Sequence, residues 1–182
     1  MFWTDPNNVD WMRSEVQKGR VRQGWGFEGC QLIDHGVLTP YEDWARSQAA
    51  GILRFWGEVA PKDGILNRYR ILMRMLQLQR DDQLVIPSMP ASGILTLARV
   101  RNGYDFDNSH FGNALFYKNN HSDFIHYIDI DPNKRTEIRY DFSPDAKFIA
   151  SKFSYYRSAI TFARAPEYRA AINRLFGEHL PI

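Results

Sequence analysis

The chain has almost no cysteine: Cys30 stands alone among 182 residues. One thiol excludes an internal disulfide and a cysteine-built metal cluster, and it favours a reducing compartment. Long apolar runs are missing as well. None reaches the roughly 20 residues a helix needs to span a bilayer, and the N-terminus has no signal-peptide pattern. The expectation is a cytoplasmic protein with no membrane partner. Nor is there an excess of one charge: Lys and Arg number 23 against 21 Asp and Glu, for a formal net charge of +2. That balance excludes a uniformly basic coat for nucleic acid and leaves room for a local basic face.

Signatures of catalysis are also absent. There is no Gly-x-x-x-x-Gly-Lys-Ser/Thr phosphate loop and no Gly-x-Ser-x-Gly nucleophile elbow. The histidines, His35, His110, His121, His126 and His179, show no paired metal-ligand spacing; His121 and His126 fall on opposite faces of an expected strand. Asp129 and Asp131 near Lys134 hint at a metal-dependent nuclease, but the usual Glu-x-Lys strand is missing. Asp131-Pro132-Asn133-Lys134 instead has turn chemistry. Cys30 has no base nearby in sequence to make it a nucleophile. The chain is therefore expected to be non-catalytic, with no metal and no cofactor.

What is present suits a globular fold. A composition 44% hydrophobic and 24% charged is not that of a disordered chain, and the length suits a single domain over residues 1–182. The abrupt end after Pro181 is what one module of a longer protein would show. Five Trp residues are rich for this length and serve stacking pockets as well as cores.

The organising stretch is Gln83 to Lys118. Leu84–Ile86 is a short strand closed by Pro87. Ile94 to Arg101 is apolar on both faces, as a central strand is. Asn102-Gly103 is a hairpin signal, so the chain should reverse there and return through Tyr104 and Phe106. Asp105, Asp107, Asn108, His110 and Phe111 then crowd a loop before a strand over Asn113–Lys118. Such a rim is either a binding mouth or an ordinary surface loop with its aromatics folded over the core.

Upstream, Asp5-Pro6 opens a short helix that stops at Gly19. In Arg20 to Gly26, alternation puts Arg20 and Arg22 on one side and Val21 and Trp25 on the other. Trp25 between Gly24 and Gly26 is either a stacking wall with arginines near for phosphates or a core residue at a bend. Thr39-Pro40-Tyr41-Glu42 has capping-box spacing and starts a helix to about Trp56, burying Tyr41, Ala45, Gln48, Ile52 and either Trp56 or Phe55. A second helix from about Gly64 to Gln79 leaves Arg68, Arg70 and Arg74 outside.

Downstream, strands are expected over Phe124–Ile130 and Thr136–Phe142, joined by the Asp131–Lys134 turn. A short helix follows around Phe148 to Phe153, then a strand near Tyr156–Phe162. A last helix opens at Ala165-Pro166-Glu167 and stops at Gly177. The fold class is α+β: about six or seven short, mostly antiparallel strands with flanking helices, which hide their edges by closing into a small β-barrel.

The order of these elements resembles a known family. Arg22-Gln-Gly-Trp25, Asp82-Gln-Leu-Val-Ile-Pro87, Ala98-Arg-Val-Arg-Asn-Gly-Tyr104, Phe111-Gly-Asn and the run Ser154 to Phe176 resemble the N-terminal PUA-like domains (EVE, YTH and ASCH relatives) of modification-dependent restriction endonucleases of the Mrr and McrB type. The likeness covers roughly Gly19 to Phe176. The glycine of the family's Gly-Asp-x-Val-Val-x-Pro element is missing before Asp82. The resemblance implies a PUA-like barrel that takes a flipped, modified base into an aromatic pocket for a restriction or antiviral defence system. DNA is implied ahead of RNA, with a nuclease or ATPase fused or associated. It implies Trp25, Tyr104, Phe106 and Phe111 as pocket walls, Asp105 and Asn108 as readers of the base edge, and Arg20, Arg22, Arg99 and Arg101 as phosphate contacts. The alternative is a small-ligand or protein-interaction module using the barrel mouth.

Overall fold

The computed structural model describes residues 9–108, 124–153 and 160–180. Among them the protein is α+β. In chain order the elements are α1 (Val9–Gln17), β1 (Arg20–Gln23), β2 (Ile33–Asp34), β3 (Val37–Leu38), α2 (Tyr41–Trp56), α3 (Lys62–Leu72), β4 (Gln83–Pro87), β5 (Ile94–Phe106), β6 (His126–Arg139), α4 (Pro144–Ser151) and α5 (Pro166–His179). Four strands make one curled antiparallel sheet in the order β1-β6-β5-β4, and β2 pairs with β3 as a separate hairpin. The described strands thus divide into a sheet and a hairpin instead of joining in one sheet of six or seven. No helix among the described residues is long and apolar enough to cross a membrane.

Contacts divide the chain into two compact units. The first holds Met1–Val21, Leu78–Gly103 and Asp129–Ile182; the second holds Arg22–Gln77 and Tyr104–Ile128.

The first unit is built on β4 and the start of β5. Leu84 faces Ala98 and Ile86 faces Thr96 across an antiparallel pair. Residues Leu95 to Val100 are all buried, which agrees with the apolar character of both faces. Pro87 pairs opposite Leu95 on β4, an edge strand, where its missing N–H breaks no ladder. Against this lie α4 and α5, sealing a core that includes Val85, Leu97, Ile138, Ile149, Leu175 and Phe176. Ser143 caps α4 by accepting the Ala146 N–H at 3.1 Å, with Pro144 in the first turn. Helix α5 runs through Gly177 to His179 instead of stopping there.

Two expected turns are strand. Asn102-Gly103 lies inside β5, and Asp131-Pro132-Asn133-Lys134 lies inside β6. At the first, Asn102 Nδ2 donates to Asp129 at 3.1 Å, and a Cβ on Gly103 would sit 3.1 Å from the Leu78 carbonyl oxygen. Gly103 thus serves close approach of another backbone, not a positive φ. At the second, the Asn133 N–H donates to Asp131 Oδ1 at 2.9 Å. The local Asx bond forms without reversing the chain. Asp129 is held by Asn102 and, at 3.4 Å, by Arg101, and Lys134 lies 3.3 Å from Asp81. The expected Asn113–Lys118 strand, Phe111 and Asp5-Pro6 lie outside the described residues. Of Tyr156–Phe162, residues 160–162 are described, and Ile160 makes an isolated bridge.

The second unit packs α2 on α3. Pro40, not Thr39, is the N-cap of α2, and no side chain caps it, so the capping box does not form. Gly57 ends the helix at φ 70°, its N–H donating to Leu53 O at 3.1 Å. The buried face carries Trp44, Gln48, Gly51 and Ile52, where Tyr41 and Ala45 were expected alongside Gln48 and Ile52. Trp44 sets that face because its indole finds a partner inside: Nε1–H donates to Cys30 O at 2.7 Å. Gly51 permits the packing of Phe27, whose Cγ would lie 2.2 Å from a Cβ at that position. The expected long second helix is shorter: α3 ends at Leu72, and a 3-10 turn follows at Met75–Gln77.

Candidate functional site

The site begins with the backbone of Trp25. Its φ is 70°, in the left-handed region, although glycines flank it on both sides. A bulky residue there is a steric outlier and costs on the order of 1–2 kcal/mol. Either neighbour could take that conformation without the cost, so the strain must be held by surrounding structure.

What holds it is a chain of hydrogen bonds through the second unit. The Leu32 N–H donates to Tyr104 Oη at 2.9 Å. Tyr104 Oη lies 3.0 Å from His126 Nδ1 and donates to it, because the opposite ring nitrogen faces a carbonyl that can only accept. The opposite ring nitrogen, Nε2–H, then points to the Trp25 carbonyl at 3.4 Å. These partners assign a neutral imidazole protonated on Nε2. His126 is fully buried, and burial lowers its pKa to about 3 despite the Trp25 carbonyl. Burial likewise raises the Tyr104 hydroxyl well above its ordinary value. Neither group titrates near neutrality, so the chain is a fixed strut.

The Trp25 ring is half-buried, not in the core. Arg68 on α3 lies with its guanidinium carbon 5.8 Å from the Trp25 ring and 6.0 Å from Trp56. Trp56 in turn meets Phe27 edge-on at 5.3 Å, and Phe27 stacks on Phe55 at 5.8 Å. With Arg54 lying 5.0 Å over the Phe55 ring, the result is an aromatic group flanked by two guanidiniums, with Trp56 38% exposed. Such a surface favours flat, electron-rich ligands by stacking and by cation–π attraction.

Several expected site residues come together here. Tyr104 and Phe106 both contact His126, at 5.8 and 4.9 Å between ring centroids. Asp105 is exposed and accepts from the Tyr127 hydroxyl and the Phe106 N–H. Asn108 is exposed. Phe111 lies outside the described residues. The arginines behave differently from expectation. Arg22 is buried, ion-paired to Asp107 at 3.0 Å, bonded to Phe124 O at 3.1 Å and set over the Tyr127 ring. Arg99 is buried in the first unit, donating to Asp81 O and Leu180 O. Neither presents its charge to solvent, because each finds carbonyl oxygens inside. Arg20 and Arg101 also belong to the first unit; Arg101 is exposed beside Asp129.

His126 and Arg68 were missed as parts of this site. An imidazole inside the apolar run Phe124-Ile125-His126-Tyr127-Ile128 was the available signal for a buried, bonded histidine. Cys30 is buried, and desolvation pushes its thiol up to about 12, far from thiolate reactivity. Among the described residues, no three His, Cys, Asp or Glu side chains gather as a metal site. Compared with family models, with curated proteins and with solved structures, the chain matches none.

Proposed function

We propose that the protein is a non-catalytic reader of nucleic acid that receives a flipped, modified base against Trp25, with DNA ahead of RNA, in a restriction or defence system. The observation that carries this reading is the strained Trp25. A tryptophan kept at φ 70° between two glycines, with its ring only half-buried, is held for what the ring does at the surface. Stacking a base on it returns about 1–3 kcal/mol, of the same order as the cost of extruding that base. Phe106 and the ring of Tyr104 form further walls, and exposed Asp105 and Asn108 read polar edges. On the same unit, exposed Arg54 and Arg70 meet phosphates. The finer fold assignment, a PUA-like barrel of six or seven strands, belongs to this same proposal.

The test is binding of matched duplex and single-stranded oligonucleotides, with and without a modified cytosine or adenine, at two salt concentrations. Tighter binding of a modified site, falling as salt rises, supports the reading. Equal binding of modified and plain strands across the panel removes it.

A further inference from the structure

The first unit contains a cleft that the reading above does not use. Two hollows adjoin there and share Gln83, Ala163 and Ile172 in their walls. One is apolar, about 70 Å³, lined by side chains that include Leu84, Ile160, Phe162 and Tyr168. A single water needs about 10–15 Å³ measured in this way, so the chamber has room for one small ring. The other is polar and more open, about 350 Å³, and its walls include Asp81, Asp82, Arg99, Arg169 and Asn173.

Arg99 is the feature that points to a ligand. It is 6% exposed, donates from Nη1 to Asp81 O at 3.1 Å and from Nη2 to Leu180 O at 3.0 Å, and lies over Phe176 at 5.3 Å. Its Nε–H is buried without a hydrogen-bond partner, and no carboxylate among the described residues pairs with it. A buried cation that meets two carbonyl dipoles and a ring but no carboxylate among the described residues is costly, and an anion relieves that cost. The two acids in the wall are turned to other partners. Asp81 faces Lys134 at 3.3 Å, and Asp82 accepts the Gln79 N–H at 2.8 Å. Arg169, exposed on α5, brings a second guanidinium to the same cleft.

We infer that this cleft binds a small amphipathic oxyanion: one apolar ring in the chamber between β4 and α5, and its carboxylate or phosphate toward Arg99 and Arg169. Two guanidiniums suit either oxyanion through charge-assisted, paired N–H bonds. The inference stands on the first unit alone and is independent of how the second unit is used.

The test titrates the full chain, carrying methyl-labelled isoleucines, with phenyl phosphate, benzoate, benzyl alcohol and inorganic phosphate. Phenyl phosphate or benzoate should shift the Ile160 and Ile172 methyl signals saturably, and the anion that does so identifies the headgroup. Benzyl alcohol and inorganic phosphate should each bind at least about tenfold more weakly, since each lacks one half of the ligand. Arg169→Glu, at an exposed position, should weaken the anion by about tenfold or more, and Arg169→Lys by less. Ala163→Phe, which plugs the shared wall, should abolish the shifts. Absence of any shift at millimolar anion, undiminished binding by Arg169→Glu, or inorganic phosphate binding as well as phenyl phosphate would each overturn the inference.

Discussion

Replacing Trp25 separates its strain from its stacking. Trp25→Gly and Trp25→Ala both delete the ring, but only glycine is at ease at φ 70°. The ring is half-buried. Taking about 100 Å² lost at roughly 25 cal/mol per Å² gives about 2–3 kcal/mol, and losing Arg68's contact adds about 0.5–1 kcal/mol. Relief of the left-handed backbone returns about 1–2 kcal/mol in the glycine variant, less about 0.4–1 kcal/mol for the looser unfolded chain. Trp25→Gly should therefore cost about 1–4 kcal/mol and be more stable than Trp25→Ala by up to about 1.5 kcal/mol, the reverse of the usual order of these residues. Urea denaturation of the two variants measures both quantities. By contrast, Trp44→Ala, at a fully buried indole bonded to Cys30, should cost about 3–5 kcal/mol. If Trp25→Ala equals or exceeds Trp25→Gly in stability, the backbone there is not strained. If both cost as much as Trp44→Ala, the ring is core, and the argument that it is held at the surface for a ligand fails.

Three other outcomes follow from the same geometry. The folded state keeps His126 neutral down to about 3, while in the unfolded chain it takes up a proton near its ordinary value of 6.5. The unfolded state then binds more protons between those values, so stability falls by about 1 kcal/mol per pH unit as pH drops below 6.5; His126→Gln should flatten the slope of denaturation midpoint against pH, and an unchanged slope would contradict the buried neutral ring. Gly51→Ala drives a methyl into Phe27 and should destabilise by about 1–3 kcal/mol despite alanine's better helix propensity, which thermal melting would show. Cys30, buried with its thiol raised to about 12, should resist a thiol reagent in the native protein and react fully in denaturant; rapid native labelling would place it elsewhere.

The sequence was most legible where a residue's own periodicity decides its environment. The two-faced apolar run from Ile94 to Val100 read as a central strand and is one. The proline start at Pro166 marks a real helix, and the short helix expected around Phe148 to Phe153 exists but begins earlier, at Pro144. It misled where tertiary neighbours outvoted local chemistry. Asn102-Gly103 and Asp131–Lys134 carry turn residues, yet cross-strand pairing keeps both in extended strands. Alternation placed Arg20 and Arg22 on one side but could not show that Arg22 is covered and paired with Asp107. For the site, flanking glycines drew attention to Trp25, though the unusual φ belongs to the tryptophan itself. Its support by His126 and Tyr104 was invisible, because that contact joins residues about a hundred positions apart. The Ile33–Leu38 hairpin also went unread, as its strands are only two residues each and too short for any period.

The most direct measurement is fluorescence anisotropy of labelled duplexes that differ by one modified base, titrated with the native protein and with Trp25→Gly at matched salt. The account predicts that at least one modified duplex binds the native protein more tightly than its plain counterpart, and that Trp25→Gly erases this preference by about tenfold or more while remaining folded. A preference that survives in Trp25→Gly, or no preference in the native protein, would contradict it.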